Sequence, residues 1–396
     1  MPASWWRLAC DAAPISWTGY FRLRSSLPIT DLTNGKIRKV DILRQPSRLT
    51  FEWETLVTGM TKTSVRQTAV FEASRSHVLE KEHPVRDIFK LPGRFWRGNL
   101  HTHSNRSDGV LKPDEVCRRY RAEGYDFIAL TDHFLGRYGY PIVDTTSCRE
   151  DGFTTILGAE LHSGSMQNGD QWHILAVGLP ADFAPGNADD VTPLKAQETG
   201  PEIAARAREA GAFVAIAHPQ WSGLTLDDAR SIDAAHAVEV YNHNCAVGSD
   251  RPDGFGIADL LLSEGRRLTL CATDDAHFAE ADHFGGWVMV RATENTHELL
   301  LEALKAGEYY ATMGPELRGI RVTDEAIEVE CSAVVTVIVQ GHATASQRVQ
   351  GASMTRAAVP RKRFAGSNWL RVTIVDAAGR RAWSNPIWVC DLSSDD

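Results

Sequence analysis

Lys112-Pro-Asp-Glu-Val-Cys-Arg-Arg-Tyr-Arg-Ala-Glu-Gly-Tyr-Asp-Phe-Ile-Ala-Leu-Thr-Asp-His133 contains one complete helix-to-strand unit. Pro113 suits the first turn of a helix, where its missing N–H has no partner to lose, and Val116 and Tyr120 fall on one face. Gly124 ends the helix before Phe127-Ile-Ala-Leu130, a run apolar on both faces, as a buried strand must be. The unit recurs. Ile203 to Ala210 is helical, Gly211 stops it, and Phe213-Val-Ala-Ile-Ala217 is a strand; Ile257 to Ser263, Gly265 and Leu268-Thr-Leu-Cys-Ala272 repeat the order. Thr155-Ile-Leu157, Ile174-Leu-Ala-Val177, Ala237-Val-Glu-Val240 and Trp287-Val-Met-Val290 are further strand candidates. This alternation specifies an α/β fold with a parallel sheet. His101 and His103 follow Asn99-Leu100, Asp132 and His133 follow Leu130, His218 follows Ala217, and Asp275 follows Ala272-Thr-Asp. Polar groups converging from the ends of many strands are what a (β/α) barrel offers at one face, so a barrel is expected.

Outside this stretch the texture changes. Residues 1–94 lack helical periodicity, and Leu49-Thr-Phe-Glu-Trp-Glu54 and Gln67-Thr-Ala-Val-Phe-Glu72 alternate apolar and polar side chains as half-exposed strands do. A β-rich segment is expected there, ending in the turn Leu91-Pro-Gly-Arg94. After the helix Glu298 to Ala306 and its stop Gly307, strands such as Val334-Val-Thr-Val-Ile-Val339 and Trp369-Leu-Arg-Val-Thr-Ile-Val375 alternate with turn residues. Residues 316–396 therefore read as a C-terminal β-sandwich, which leaves 95–315 as the α/β domain. Ala181 to Gly200, rich in Ala, Pro, Asp and Gly, reads as a surface loop.

A chain of 396 residues exceeds the usual single core, which fits a large domain with smaller companions. No stretch approaches the ~20 apolar residues that span a bilayer, and Met1 to Leu8 contains no apolar signal core, so no membrane association and a cytoplasmic location are expected. The seven cysteines are widely spaced and form no C-x-x-C pair; they read as buried or idle thiols. A formal net charge of −9 argues against a broad nucleic-acid footprint, and Arg361-Lys-Arg363 reads as a solvated loop. Bound cations could offset much of the acidity and hold a small phosphorylated substrate. Self-association is left open.

Two imidazoles flanking one residue in extended chain point to the same side, so His101-x-His103 can chelate an ion. Asp108, between Ser107 and Gly109, could reach back to that pocket or simply form a turn. Thr131-Asp132-His133 is more telling, because an apolar strand should not run into an ionisable pair unless its end opens on a functional cleft. His133 is expected to be a ligand, with Asp132 orienting an imidazole. Glu160 after Ile156-Leu-Gly-Ala is costly to bury without a cation and suits a bridging position. His162 alternates with it. His173, beside Trp172, could equally be a packed core residue; His218 before Pro219 is better placed at a strand mouth. Glu239 and Asn242-His243 could line the pocket or a polar rim. Asp274-Asp275-Ala-His277 adds a D-x-H cluster at another strand end.

Together these motifs resemble the PHP (polymerase and histidinol phosphatase) superfamily: His101-Thr-His103 with Ser107-Asp-Gly109, Thr131-Asp-His133, Gly158-Ala-Glu160, His173-Ile-Leu-Ala-Val-Gly178, Ala217-His-Pro219 and Thr273-Asp-Asp-Ala-His277. The resemblance implies a distorted (β/α)7 barrel. It also implies that His101, His103, Glu160 and Asp275 hold one metal ion, that Glu160 bridges to a second held by His173 and His218, and that Asp108, His133 and His277 hold a third. Phe95-Trp-Arg-Gly-Asn-Leu-His-Thr-His-Ser104, Gly124-Tyr-Asp-Phe-Ile-Ala-Leu-Thr-Asp-His133 and Gly379-Arg-Arg-Ala-Trp-Ser-Asn-Pro-Ile387 are similar to the CehA/McbA-type branch, whose named members cleave an aryl carbamate.

The implied reaction is hydrolysis, with up to three divalent ions (Mn, Fe or Zn) acidifying a shared water as nucleophile and polarising a phosphoryl or carbonyl oxygen. His162, His243 and Asp274 are candidates for a general acid. The leading expectation is a phosphoesterase acting on a small-molecule mono- or diester. A carbamate or carboxyl-ester hydrolase is the alternative, favoured by Trp172, Trp221 and Tyr241 near the site. A catalytically silent binding module would require decayed ligand motifs, and none is missing.

Overall fold

The structure is a computed structural model that describes residues 87–186 and 198–392, together with the backbone of five strands nearer the N-terminus. The chain forms two compact units, Met1–Glu82 and His83–Asp396. In the first, β1 (Trp5–Arg7) pairs with β2 (Tyr20–Arg22), and β3 (Lys36–Gln45), β4 (Arg48–Val57) and β5 (Thr63–Glu72) form an antiparallel sheet. The alternating segments at 49–54 and 67–72 fall in β4 and β5. Part of the expected 181–200 loop, residues 187–197, lies outside the described residues.

The second unit begins with β6 (Arg94–Asn99), α1 (Pro113–Ala122), β7 (Phe127–Leu130), the short β8 (His133–Phe134) and β9 (Thr154–Leu161). It continues with β10 (Ile174–Val177), α2 (Gly200–Glu209), β11 (Phe213–Ile216), α3 (Leu226–Ser231), β12 (Ala237–Asn242), α4 (His243–Ser249), α5 (Phe255–Ser263) and β13 (Thr269–Thr273). In α1, Pro113 occupies the first turn and Val116, Cys117 and Tyr120 are buried. Gly124, at φ +76°, then takes the left-handed turn that lets the chain reverse into β7. In α2, Thr199 and Glu202 form a reciprocal capping box. Strands β7, β10 and β11 are buried along their whole length.

Neighbouring strands in this run follow the order β6-β7-β9-β10-β11-β12-β13. All pairs are parallel except those of β10, which is antiparallel to both neighbours. Beyond their ends, the first and last strands meet: Asp275 N donates to His101 O at 2.8 Å, His103 N donates to Ala276 O at 2.9 Å, and Thr102 bridges Ala276 in parallel.

From β6 the same sheet runs outward through β14 (Trp287–Ala292) and, after α6 (His297–Ala306), β15 (Tyr309–Thr312). The C-terminal strands are β16 (Leu317–Val322), β17 (Ala326–Gly341), β18 (Ser346–Pro360), β19 (Trp369–Val375), β20 (Arg381–Trp383) and β21 (Ile387–Trp388). The tail is all-β, as its alternation indicates, but it is hydrogen-bonded into the α/β part: β20 takes the free edge of β15. Trp369 and Trp388 share a core with Ala258, Leu261 and Leu262 of α5. Arg371, 3 % exposed, makes a two-pronged ion pair with Asp259 of the same helix. Among the described residues, no helix is long and apolar enough to cross a membrane.

Candidate metal centre

The C-terminal ends of the parallel strands, and the N-terminal end of antiparallel β10, bring their polar residues together. His101 and His103 extend from β6, His133 lies past β7, Glu160 ends β9, His218 follows β11 and Asp275 follows β13. Ile174 opposes Leu161 in the β9/β10 register, so His173, just before β10, arrives at the same face.

Glu160 is the centre. Its Oε1 lies 2.7 Å from His173 Nδ1 and 3.0 Å from His218 Nε2. Its Oε2 lies 2.7 Å from His133 Nδ1, 3.6 Å from the Nε2 atoms of His103 and His162, and 3.7 Å from His101 Nε2. Asp275 Oδ1 is 2.9 Å from His103 Nε2 and 3.2 Å from His101 Nε2. Asp108 contacts His133 Nε2 at 3.2 Å and His277 Nε2 at 3.4 Å. Among the described residues, the donor atoms of five groups each lie within 4.8 Å of one another: His103, Asp108, His133 and His277; His101, His218 and Asp275; His101, His103 and Glu160; His133, Glu160 and His162; Glu160, His173 and His218.

Whether a cation fits can be asked of the buried atoms themselves. His101 Nε2 and Glu160 Oε2 are fully buried and neither makes a hydrogen bond; the close His133 nitrogen is out of line for one. Leaving such atoms unpaired costs about 1–3 kcal/mol each, more for the charged one, and a divalent ion between them removes that cost. The surrounding groups aim lone pairs inward. Glu239 accepts from His101 Nδ1 at 3.0 Å, Asp275 O from His277 Nδ1 at 2.8 Å, and Trp172 O from His162 Nδ1 at 2.8 Å, so each ring, when neutral, keeps its proton on Nδ1 and its lone pair on Nε2. Asp275 and His218 hold positive φ values of 56° and 23°, a strain expected where backbone is held by a site's geometry. The donor set is all nitrogen and oxygen, suited to divalent metal ions.

Electrostatics follow from the crowding. Burial works against ionisation of Glu160, yet His133, His173 and His162 hold its carboxyl well below the usual range. Burial, with His133 and His277 alongside, pushes His103 down to about 4; burial and then His173 push His162 down to about 3. At His133 burial is outweighed by Glu160 and Asp108, which push its pKa up to about 10. At His277 burial is outweighed by Asp108 and Asp275, which push it up to about 9. In the metal-free protein these two rings are therefore protonated at neutral pH and must give up their protons to bind an ion. Manganese added to metal-free protein at pH 7.5 in weak buffer is expected to release protons, and its apparent affinity to rise as pH climbs from 7 towards 9. Uptake without proton release would contradict this assignment of charge.

Several sequence expectations need correction. Asp274 does not reach the cavity: its carboxylate accepts from Tyr120 OH at 2.7 Å and from the N–H groups of Phe284, Gly285 and Gly286 at 2.9, 2.8 and 2.9 Å. With every lone pair taken it cannot act as the general acid. Asp274→Ala strands these donors in the core and is expected to cost roughly 3–5 kcal/mol in urea denaturation. Unchanged stability with lost activity would return Asp274 to the catalytic group. His243 is not on the cavity wall either; it pairs with Tyr241 OH at 2.9 Å and packs over Gly285. Asp132 orients no imidazole but gathers the loop before Asp108, accepting from the N and Oγ of both Ser104 and Ser107.

Glu239 and Asn242 matter more than their sequence suggests. Glu239, fully buried, holds His101 and also accepts from Thr273 Oγ1, His218 N and Asn242 Nδ2. Asn242 Nδ2 also donates to Asp275 Oδ2 at 3.1 Å. The signal was a glutamate inside the apolar strand Ala237-Val-Glu-Val240.

A cavity of about 400 Å³ opens over the cluster, with Leu135, Arg137, Gln171, Trp221 and Asn244 among its walls. Of the aromatic residues expected near the site, Trp221, 44 % exposed, borders it; Trp172 is buried and Tyr241 points to His243.

Residues 99–284 match the family model of the PHP domain. No curated protein gives a significant match. Similar solved structures include a two-domain protein from Bacteroides vulgatus containing a predicted PHP-like metal-dependent phosphoesterase, 19 % identical, with 68 % of this chain and 88 % of that one covered and a TM-score of 0.42. Another, from Bifidobacterium adolescentis and put forward as a metal-dependent phosphoesterase, is 16 % identical over 46 % of this chain and 87 % of that one, with a TM-score of 0.33. An amidohydrolase from Chromobacterium violaceum, with sulfate bound and no metal, is 16 % identical over 47 % and 89 %, with a TM-score of 0.34.

Proposed function

We propose that the chain is a metal-dependent hydrolase that cleaves small phosphomonoesters or phosphodiesters. The observation that carries this reading is the pair of buried, unpartnered atoms, His101 Nε2 and Glu160 Oε2, facing one another inside a cluster of imidazoles and carboxylates. Up to three divalent ions (Mn, Fe or Zn) are proposed. His101, His103, Glu160 and Asp275 would hold the first, Glu160, His173 and His218 the second, and Asp108, His133 and His277 the third. The seven strands β6, β7 and β9–β13 are read as the distorted (β/α)7 barrel that carries them, with the tail as its β-rich companion. Such ions supply a water acidified toward neutral pH and polarise the oxygens of the bond under attack.

The protein's own contribution is position and charge. Arg137 lines the cavity and would add a permanent positive charge there for a phosphoryl group. The cavity's size suits a small molecule rather than a polymer. The proposal includes a cytoplasmic location.

Apart from the clustered groups, the described residues of the lining include no carboxyl, lysine or tyrosine that could protonate a departing alkoxide. Leaving groups that are stable as anions should therefore be favoured. A series of phosphate esters assayed with manganese is expected to show kcat/KM falling by about 10²–10⁴ from p-nitrophenyl to alkyl esters, the usual contribution of a general acid. A flat series would reveal an acid that this assignment lacks. Trp221 at the cavity wall favours the second reading, a carbamate or carboxyl-ester hydrolase of the CehA/McbA type. Naphthyl carbamates turned over faster than every phosphate ester would replace the phosphoesterase reading with it.

A further inference from the structure

His162 has no place among the nine proposed ligands, yet it is buried in their midst. Its Nδ1 lies 2.8 Å from the carbonyl oxygen of Trp172, which can only accept, so Nδ1 carries the proton. Its Nε2 is then a bare lone pair, 2.8 Å from His133 Nδ1. Two ring nitrogens in line at that distance need a proton between them, and His133 must supply it. Glu160 Oε2 is as close to His133 Nδ1 but lies out of hydrogen-bond alignment, which leaves His162 as the directional partner. In neutral His133 the lone pair then falls on Nε2, 3.2 Å from Asp108 Oδ2. A lone pair facing a carboxylate oxygen is repulsive unless a cation sits between them.

We propose that His162 is a positioning residue: the hydrogen-bond chain from Trp172 O through His162 to His133 decides which ring nitrogen of His133 faces Asp108 and His277. The proposal rests on the metal-site reading above. It also explains why a histidine inside the cavity does not serve as the acid, since the nitrogen it turns inward has no proton to give. Trp172 is a firm anchor for the chain, because its ring packs against Gly200, where even a Cβ would collide with it.

The test compares His162→Leu, which keeps the volume and removes the acceptor, with His162→Gln, whose amide oxygen can stand near the position of Nε2. Manganese per chain is counted after equilibrium dialysis, and histidine ¹⁵N spectra are recorded on zinc-loaded protein. The wild type is expected to show His133 protonated on Nδ1. The Leu variant should bind one ion 10–100-fold more weakly while retaining the others, and the Gln variant should recover most of that loss. Wild-type loading by the Leu variant, or equal weakening of every ion, overturns the proposal. So does a His133 protonated on Nε2 in the zinc-loaded wild type, a measurement that stands even if the Leu variant fails to fold. A wild type that takes up no ion overturns the metal-site reading itself.

Discussion

Dialysis of the purified protein against a chelator is expected to lower aryl phosphate hydrolysis by a factor of about 10³ or more, and added manganese, iron or zinc to restore it. Without ions the cavity presents the carboxylates of Asp108, Glu160 and Asp275 to an incoming anion. The protonated His133 and His277 are engaged with Asp108 and Glu160 rather than free to meet it, and no group remains to acidify a water. Nor does the wall offer a ready nucleophile of its own: the Cys245 thiol is pushed far up by burial and by the carboxylates of Asp275 and Glu239, and Ser249 donates its hydroxyl proton to the carbonyl of Cys245. Full activity in protein shown to be metal-free would sink the functional reading.

Glu160→Gln should lower kcat/KM to a similar degree, about 10³-fold, with a fall in metal content. The carboxylate faces six histidines within 3.7 Å. Replacing one oxygen by NH₂ removes the charge that offsets the cations and turns N–H donors toward ring nitrogens that must keep their lone pairs. The fold should survive, because neighbouring histidines can donate to the remaining oxygen. Metal analysis beside the kinetics separates the causes: a rate within a few-fold of wild type and unchanged metal content would remove Glu160 from the centre.

Most of the α/β order was legible because α1, Gly124 and Phe127–Leu130 obey local rules that packing did not override. The gathering of candidate ligands at strand ends was legible for the same reason. What local sequence could not show is direction. His173 precedes its strand where the other candidate ligands lie at or beyond the C-terminal ends of theirs, and only the antiparallel setting of β10 carries it to the common face. Asp274 and Asp275 are neighbours in sequence, but the positive φ of Asp275 turns the two carboxylates apart, one into the core and one to the cluster. Glu239 was undervalued because its partners, His101, His218, Asn242 and Thr273, come from four separate segments. The tail reads as strands from its alternation, whereas its attachment through β15 and β20 depends on which edge the rest of the sheet leaves open.

The backbone hydrogen bond from Asp275 to His101 joins two candidate ligands at the seam between the first and last strands of the run. Thr102 and Ala276, bridged at that seam, are 174 residues apart in the chain. Closing the seam and assembling the cluster therefore need the same two distant segments in place. An ion held by His101 and Asp275 would thus also tie the first strand of the run to the last.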